Sequence, residues 1–317
     1  MGQQVSNVVN TVVPVFALIM LGFAAGRLGL FVEGSARGLS TFVFTFAIPA
    51  LLFKSMTSSG IPDNPPWALW GAFFGSIALI WLIAVAVSGS VNGLGGAGGS
   101  AAALGASFGN TVMLGLPLGV SHFGPAAVLP MALIISIHMP LQWFAATLLA
   151  QSGTKSGDVK LGALIGTLIR DLLSNPIVLA ILAGSVWKLA GFGIHPIPDR
   201  IITMLSQGAI PAALFALGLS LTRFQLGANG TAAFLLIILK LAVMPVAAAA
   251  LAYGVFRLPA VEAGVVVLFA ALPTGANAYI YAERQGAAEA AVSASVAVGT
   301  VLSIFSLSIV LSQLPHS

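Results

Sequence analysis

Apolar stretches of about 20 residues recur along the chain, each long enough to cross a hydrocarbon layer about 30 Å thick. They fall near residues 8–26, 38–58, 67–89, 100–121, 125–150, 174–190, 197–222, 231–256, 261–283 and 289–312. The pattern therefore predicts ten membrane-spanning helices. Between the fifth and sixth stretches, residues 158–174 set Leu161, Leu164, Ile165, Leu168, Ile169 and Leu172 at helical spacing, with Lys160, Arg170 and Asp171 off that stripe. This segment reads either as an amphipathic helix lying on the membrane surface or as a cytosolic extension of the sixth span.

Composition agrees. Of 317 residues, 58% are hydrophobic and 6% charged, against about 25% charged in a soluble domain. Twenty ionised side chains (12 basic, 8 acidic) cannot keep a globule of this size in solution, so the soluble classes are excluded. The formal charge of +4 is too scattered for a nucleic-acid surface. The absence of cysteine excludes disulfides, thiolate metal sites and cysteine nucleophiles. Residues 1–10 hold no Lys or Arg, so the first apolar run is expected to be a retained helix rather than a signal peptide.

The basic residues orient the spans. With the N-terminus on side one, that side holds Lys54, Lys188, Arg200 and Arg257. Side two holds Arg27, Arg37, Lys155, Lys160, Arg170, Arg223 and Arg284, which makes it the cytoplasmic side and places both termini outside.

The second stretch contains AIPALLF (47–53) and the seventh AIPAALF (209–215), an offset of 162 residues. The same offset carries the third stretch onto the eighth and the fifth onto the tenth. The chain is thus expected to be two five-helix repeats, residues 1–157 and 158–317. Five is odd, so the second copy enters the membrane inverted, as in secondary transporters that bind substrate at mid-membrane between repeats.

The fourth and ninth stretches carry helix breakers at their centres. One has Gly109, Asn110, Thr111, Gly115 and Pro117; the other has Pro273, Thr274, Gly275 and Asn277. Proline lacks the backbone donor and glycine weakens the helix beside it. Unsatisfied peptide groups cost several kcal/mol in hydrocarbon, so two matched breaks point to a covered transport site. A helix restarting after a break presents free N–H groups and partial positive charge, which suits a carboxylate. Asn110, Thr111, Thr274 and Asn277 add neutral polar groups. The alternative is a pair of kinked helices whose Asn and Thr bind neighbouring helices.

Lys240 falls near the middle of the eighth stretch, where a cation is a functional candidate by default. It would balance an anionic substrate, or instead hold loose carbonyls at a break. Lys54 lies four residues from the end of the second stretch, where snorkelling to the headgroups is expected. His138 is central in the fifth, with Gln142 one turn on. That histidine reads as a proton relay or as a helix-to-helix hydrogen bond. No Asp or Glu lies at mid-membrane, so a carboxylate-based sodium or proton site is not expected, although carbonyls at the breaks remain able to hold sodium.

GNTVMLGLPLG (109–119), ALPTGANAYIYAE (271–283), IPALLF (48–53) and RDLLSNPIVLAILAG (170–184) carry a resemblance to the auxin efflux carrier family, which includes bacterial malonate-type permeases and plant auxin carriers. It runs essentially end to end. The resemblance implies a bile-acid-symporter-like fold with a scaffold domain from spans 1, 2, 6 and 7 and a transport domain from spans 3–5 and 8–10. It implies a homodimer that moves organic anions by an elevator-like displacement. It sets Asn110, Pro117, Pro273 and Asn277 at the crossing of helices four and nine, with substrate beside Asn110 and Asn277. The short connection after span five resembles bacterial members, which implies the bacterial cytoplasmic (inner) membrane and argues against auxin as substrate.

The expected function is transport of a small mono- or dicarboxylate, with a proton or sodium as possible coupling ion and no cofactor. A passive channel or a transporter-derived sensor is the alternative. No nucleophile-elbow serine, HExxH or paired membrane aspartates support an intramembrane enzyme.

Overall fold

The computed structural model describes residues 2–58, 66–91, 94, 98–152, 161–224 and 230–314, and every element among them is helical. Lys155 and Lys160, two of the residues used for orientation, lie outside them. The helices are α1 (Gly2–Arg27), α2 (Ser35–Ser58), α3 (Trp67–Ser88), α4 (Gly98–Ser107), α5 (Leu116–Phe123), α6 (Val128–Ser152) and α7 (Leu161–Ser174). They continue as α8 (Pro176–Leu189), α9 (Pro196–Leu221), α10 (Gly230–Val255), α11 (Ala260–Ala271), α12 (Ala276–Gln285) and α13 (Glu289–Gln313).

Seven helical runs among the described residues are long and apolar enough to cross a membrane, and the bent α7–α8 pair makes an eighth. The sequence pattern predicts ten. The difference has a physical source, because two expected spans are broken and a third is fused into a longer run. One continuous run, Thr111–Gln151, has 41 residues; at 1.5 Å per residue it would reach about 60 Å, twice the hydrocarbon thickness. It folds back on itself instead. Thr111 meets His138, and Gly119 abuts Met131, an antiparallel register that continues from α4 where Ser107 meets Gln142. The reversal is a short 3-10 turn, Gly124–Ala127, opened by Gly124 at φ +67°.

Three prolines explain three of the four π-helical turns inside these helices. Pro49, Pro117 and Pro245 each stand two residues after a π-helical turn, at Val43–Ala47, Thr111–Gly115 and Leu239–Val243. A proline ring clashes with the carbonyl four residues back and offers it no donor. Widening the preceding turn to i→i+5 bonding relieves the clash without ending the helix.

The break between α7 and α8 is a 57° bend. Asn175 caps α8 by accepting from the Ile177 N–H at 2.9 Å, and Pro176 opens the helix where no donor is needed. α7 has no buried residue; Leu161, Ile165, Ile169 and Leu173 stand exposed every fourth position. The bend separates α7 from α8, so it is not a straight extension of the sixth span.

Packing gathers α1 along α9, and α2 along α8 and α9. Gly22 and Gly218 let the first pair touch backbone to backbone, since a Cβ on Gly218 would sit 2.0 Å from the Ile19 carbonyl oxygen. Around the other centre, α3, α4, α10, α11 and α13 enclose the deepest core, where Phe73, Phe269 and Lys240 are fully buried.

Candidate functional site: the crossing of two broken helices

α4 ends at Ser107 and α11 at Ala271, and the segments after them pass each other antiparallel. The Asn110 N–H donates to the Pro273 carbonyl at 3.0 Å, and the Gly275 N–H donates to the Phe108 carbonyl at 2.8 Å. Each break thus supplies the peptide partners that the other has lost, which is how unwound backbone survives away from water. Gly109 permits the close approach: a Cβ there would lie 3.0 Å from the Phe269 carbonyl oxygen.

Both chains then restart as helix. The Asn110 side-chain oxygen accepts from the Met113 N–H at 3.3 Å and caps the turn Thr111–Gly115. α12 begins at Ala276 with no side-chain cap; the Ala278 N–H donates to the Gly275 carbonyl at 3.0 Å, and the helix start carries a partial positive charge that suits an anion. Asn277 lies in that first turn, its amide nitrogen 3.5 Å from the Met139 sulfur. Asn110 and Asn277 are half-buried, whereas Thr111, Pro117, Pro273 and Thr274 are buried. Of the six residues expected to hold substrate, only the two asparagines retain access to open space.

The threonines bind neighbouring helices. The Thr274 hydroxyl lies 2.8 Å from the Gly105 carbonyl oxygen and 2.7 Å from the Ser295 hydroxyl. Thr111 Oγ1 lies 3.3 Å from His138 Nδ1. His138 stacks on Phe108 with ring centroids 4.5 Å apart, and Gln142 meets Ser107 at 2.9 Å. Pro117 falls in the second turn after the break, inside the continuous helical run, where the preceding π-helical turn Thr111–Gly115 accommodates its ring and missing N–H.

Lys240 sits behind the crossing, in the π-helical turn of α10 and 0% exposed. Its ammonium donates to the Ala270 carbonyl at 2.5 Å and lies 3.3 Å from the Met244 sulfur. Ala270 is next to the last residue of α11, so the cation caps the negative end of that half-helix. A Cβ on Gly109 would lie 3.4 Å from the same nitrogen. No ion pair with a carboxylate is found for Lys240 among the described residues.

Lys54 stands apart from this cluster. Its ammonium pairs with Asp199 at 3.1 Å and also reaches the Thr203 hydroxyl, joining α2 to α9. Snorkelling, the expectation from sequence, is replaced by a partner that 145 residues of separation conceal. Sequence reasoning also missed Ser107, Ser295 and Trp81. Small hydroxyl residues in apolar helices give no pattern that distinguishes a bonded serine from a spacer.

The family described as "Membrane transport protein" matches residues 7–311. A protein of Rhizobium meliloti (strain 1021) named putative malonate transporter is 28% identical over 316 positions, covering 94% of this chain and 93% of its own. Auxin efflux carrier component 8 of Arabidopsis thaliana is 27% identical, covering 94% and 95%. An uncharacterized transporter of Methanothermobacter thermautotrophicus is 28% identical, with the same two coverages. Paired broken helices, an uncapped helix start and end-to-end similarity to carriers lead to one conclusion: this chain is an integral membrane protein of the membrane transport protein family, the family of the auxin efflux carriers.

Proposed function

We propose that the protein is a secondary transporter for a small organic anion, a mono- or dicarboxylate of malonate size, working by alternating access of the elevator type. One observation carries this reading: the crossing at Gly109 and Thr274 leaves Asn110 and Asn277 half-buried beside restarting helix ends. Asparagine amides and free N–H groups offer neutral donors to carboxylate oxygens without the cost of burying a charge. Lys240 supplies the resident positive charge behind the crossing, and Thr111, Pro117, Pro273 and Thr274 hold its shape. His138 and Gln142 support it from α6. The name of the Rhizobium meliloti relative favours malonate-like acids.

The same reading includes ten spans in a 5+5 inverted repeat, residues 1–157 and 158–317. The fold-back inside Thr111–Gln151 and the helix pair α11–α12 support counting each broken helix as one span. The scaffold comprises α1, α2, α8 and α9, which pack together; the moving unit comprises α3–α6 and α10–α13. The protein works as a homodimer in the bacterial inner membrane with both termini outside, drawing on a proton or sodium gradient.

The test is uptake of labelled malonate and related acids into proteoliposomes, with and without each gradient. Saturable, gradient-responsive uptake and counterflow are expected. Absence of flux for every small carboxylate overturns the reading, and flux linear to high concentration identifies a pore.

A further inference from the structure

A cleft of about 380 Å³ lies where four apolar helices end, at the starts of α3, α6 and α11 and just past the end of α10. Its walls include Pro66, Leu69, Leu133 and Phe256, and one cation and one anion, Arg257 and Glu262, line it with them. None of the residues at the crossing contributes to it, so it is separate from the candidate transport site.

The walls are held together by specific contacts. The Trp70 indole N–H donates to the Leu133 carbonyl at 3.0 Å and joins α3 to α6. The Phe256 ring sits over Gly71, where a Cβ would lie 2.6 Å from it. Spanning helices end at the membrane boundary, and tryptophan is the residue of that layer. Trp67, 70% exposed, meets Trp70 edge to face beside the cleft. On α10, Val246 and Tyr253 stand exposed about two turns apart, an apolar stripe that leads away from the cleft along the span.

Arg257 is exposed and Glu262 half-buried, and neither makes an ion pair or a side-chain hydrogen bond among the described residues. Snorkelling accounts for a lone cation at a span end. It does not account for a cation and an anion that line one cleft without closing on each other. Arg257 also holds φ at +48°, one of two positive values at non-glycine residues among the described ones. Glycine takes that conformation without strain, so a guanidinium is kept where the backbone favours a different residue.

We propose that this cleft binds the headgroup of a phosphatidylethanolamine-type lipid. Arg257 donates to the phosphate, Glu262 accepts from the primary ammonium, and the acyl chains lie along the exposed stripe of α10. A guanidinium presents a fork of donors that suits phosphate oxygens. A carboxylate needs N–H donors, which an ethanolamine headgroup has and a choline headgroup lacks. The bound lipid bridges α3, α6, α10 and α11, the helices packed around Lys240. The site does not depend on the substrate proposed above.

Delipidated full-length protein in detergent tests the site through the rise in Tm on titration with lipid. Phosphatidylethanolamine, phosphatidylcholine and phosphatidylglycerol of identical short chains are compared. Phosphatidylethanolamine should bind about tenfold tighter than the other two, the size of one charge-assisted hydrogen bond. Arg257→Gly suits the left-handed backbone, so its lipid-free Tm should be unchanged, while all three lipids bind more weakly and the preference disappears. Glu262→Gln should bring phosphatidylethanolamine down to the level of phosphatidylcholine. Equal binding of the three lipids by the unmodified protein, or an undiminished preference in either variant, overturns the proposal. Soluble phosphoethanolamine should fail to displace the lipid at equal concentration; displacement would show a site for a soluble zwitterion and overturn the lipid. No carboxylate enters these melts, so their outcome is independent of the uptake assay.

Discussion

Gly109 and Thr274 meet as an isolated antiparallel bridge, the one place among the described residues where two chain segments pair as strands do. Asn110 caps the helix after the first break and Lys240 the helix before the second, and the unwound backbone between takes its partners from the break lying across it. That mutual dependence fixes the height and spacing of Asn110 and Asn277, and the predictions below follow from it.

Replacing Asn110 or Asn277 by alanine removes a polar group at the open side of the crossing. A hydrogen bond to a charged ligand is worth about 1.5–3 kcal/mol, so each variant should lose about tenfold or more in transport efficiency. Expression and detergent stability should stay near wild type for Asn277→Ala. Asn110→Ala should also lose about 1 kcal/mol of stability through its cap. Initial-rate uptake in proteoliposomes, beside thermal melts, checks both.

Gly109→Ala should harm the fold before it harms binding. The added methyl meets a carbonyl oxygen at 3.0 Å and the Lys240 ammonium at 3.4 Å, and the backbone on one side is fixed by the bridge. Overpacking of this kind costs about 1–3 kcal/mol. A lowered Tm is expected, and an unchanged melt with full uptake would show that the crossing is looser than described.

Lys240→Met keeps most of the volume and deletes the charge. The Ala270 carbonyl loses its donor, which costs about 1–3 kcal/mol; removal of a buried, unpaired cation offsets part of that. Transport should therefore fall much further than stability. Lys240→Arg should not restore it, because the site is fully enclosed and leaves no room for a guanidinium. Uptake and melting temperature measured side by side separate the two effects.

Asp199→Asn should lower Tm slightly and leave uptake nearly unchanged. Lys54 and Asp199 are 36% and 42% exposed, and exposed pairs contribute about 0–1 kcal/mol. A large loss of transport in this variant would place Lys54 in the transport machinery.

Much of this was legible in the chain itself. Breakers at Gly109 and at Pro273–Gly275 marked both unwound segments, and helical spacing marked α7. Other features were not. Pro117 looked like a centre of its break, yet the chain unwinds earlier, at Phe108–Asn110, and Pro117 belongs to the helix that follows. Thr111 and Thr274 looked like ligand donors, but both hydroxyls are occupied by neighbouring helices. Lys54 gave no sign of Asp199, since an ion pair between distant segments leaves no periodic trace.

What the sequence alone determined is therefore the solvent and the site of weakness: a chain with 6% charged residues belongs in a bilayer, and its helices fail at two places. The tertiary structure decided how those failures are used. Helix breaks follow from local chemistry, because proline and glycine act on their own turn. Whether broken ends face water, lipid or each other depends on long-range packing. Here Asn110 bonds to Pro273, and Lys240 reaches the carbonyl of Ala270.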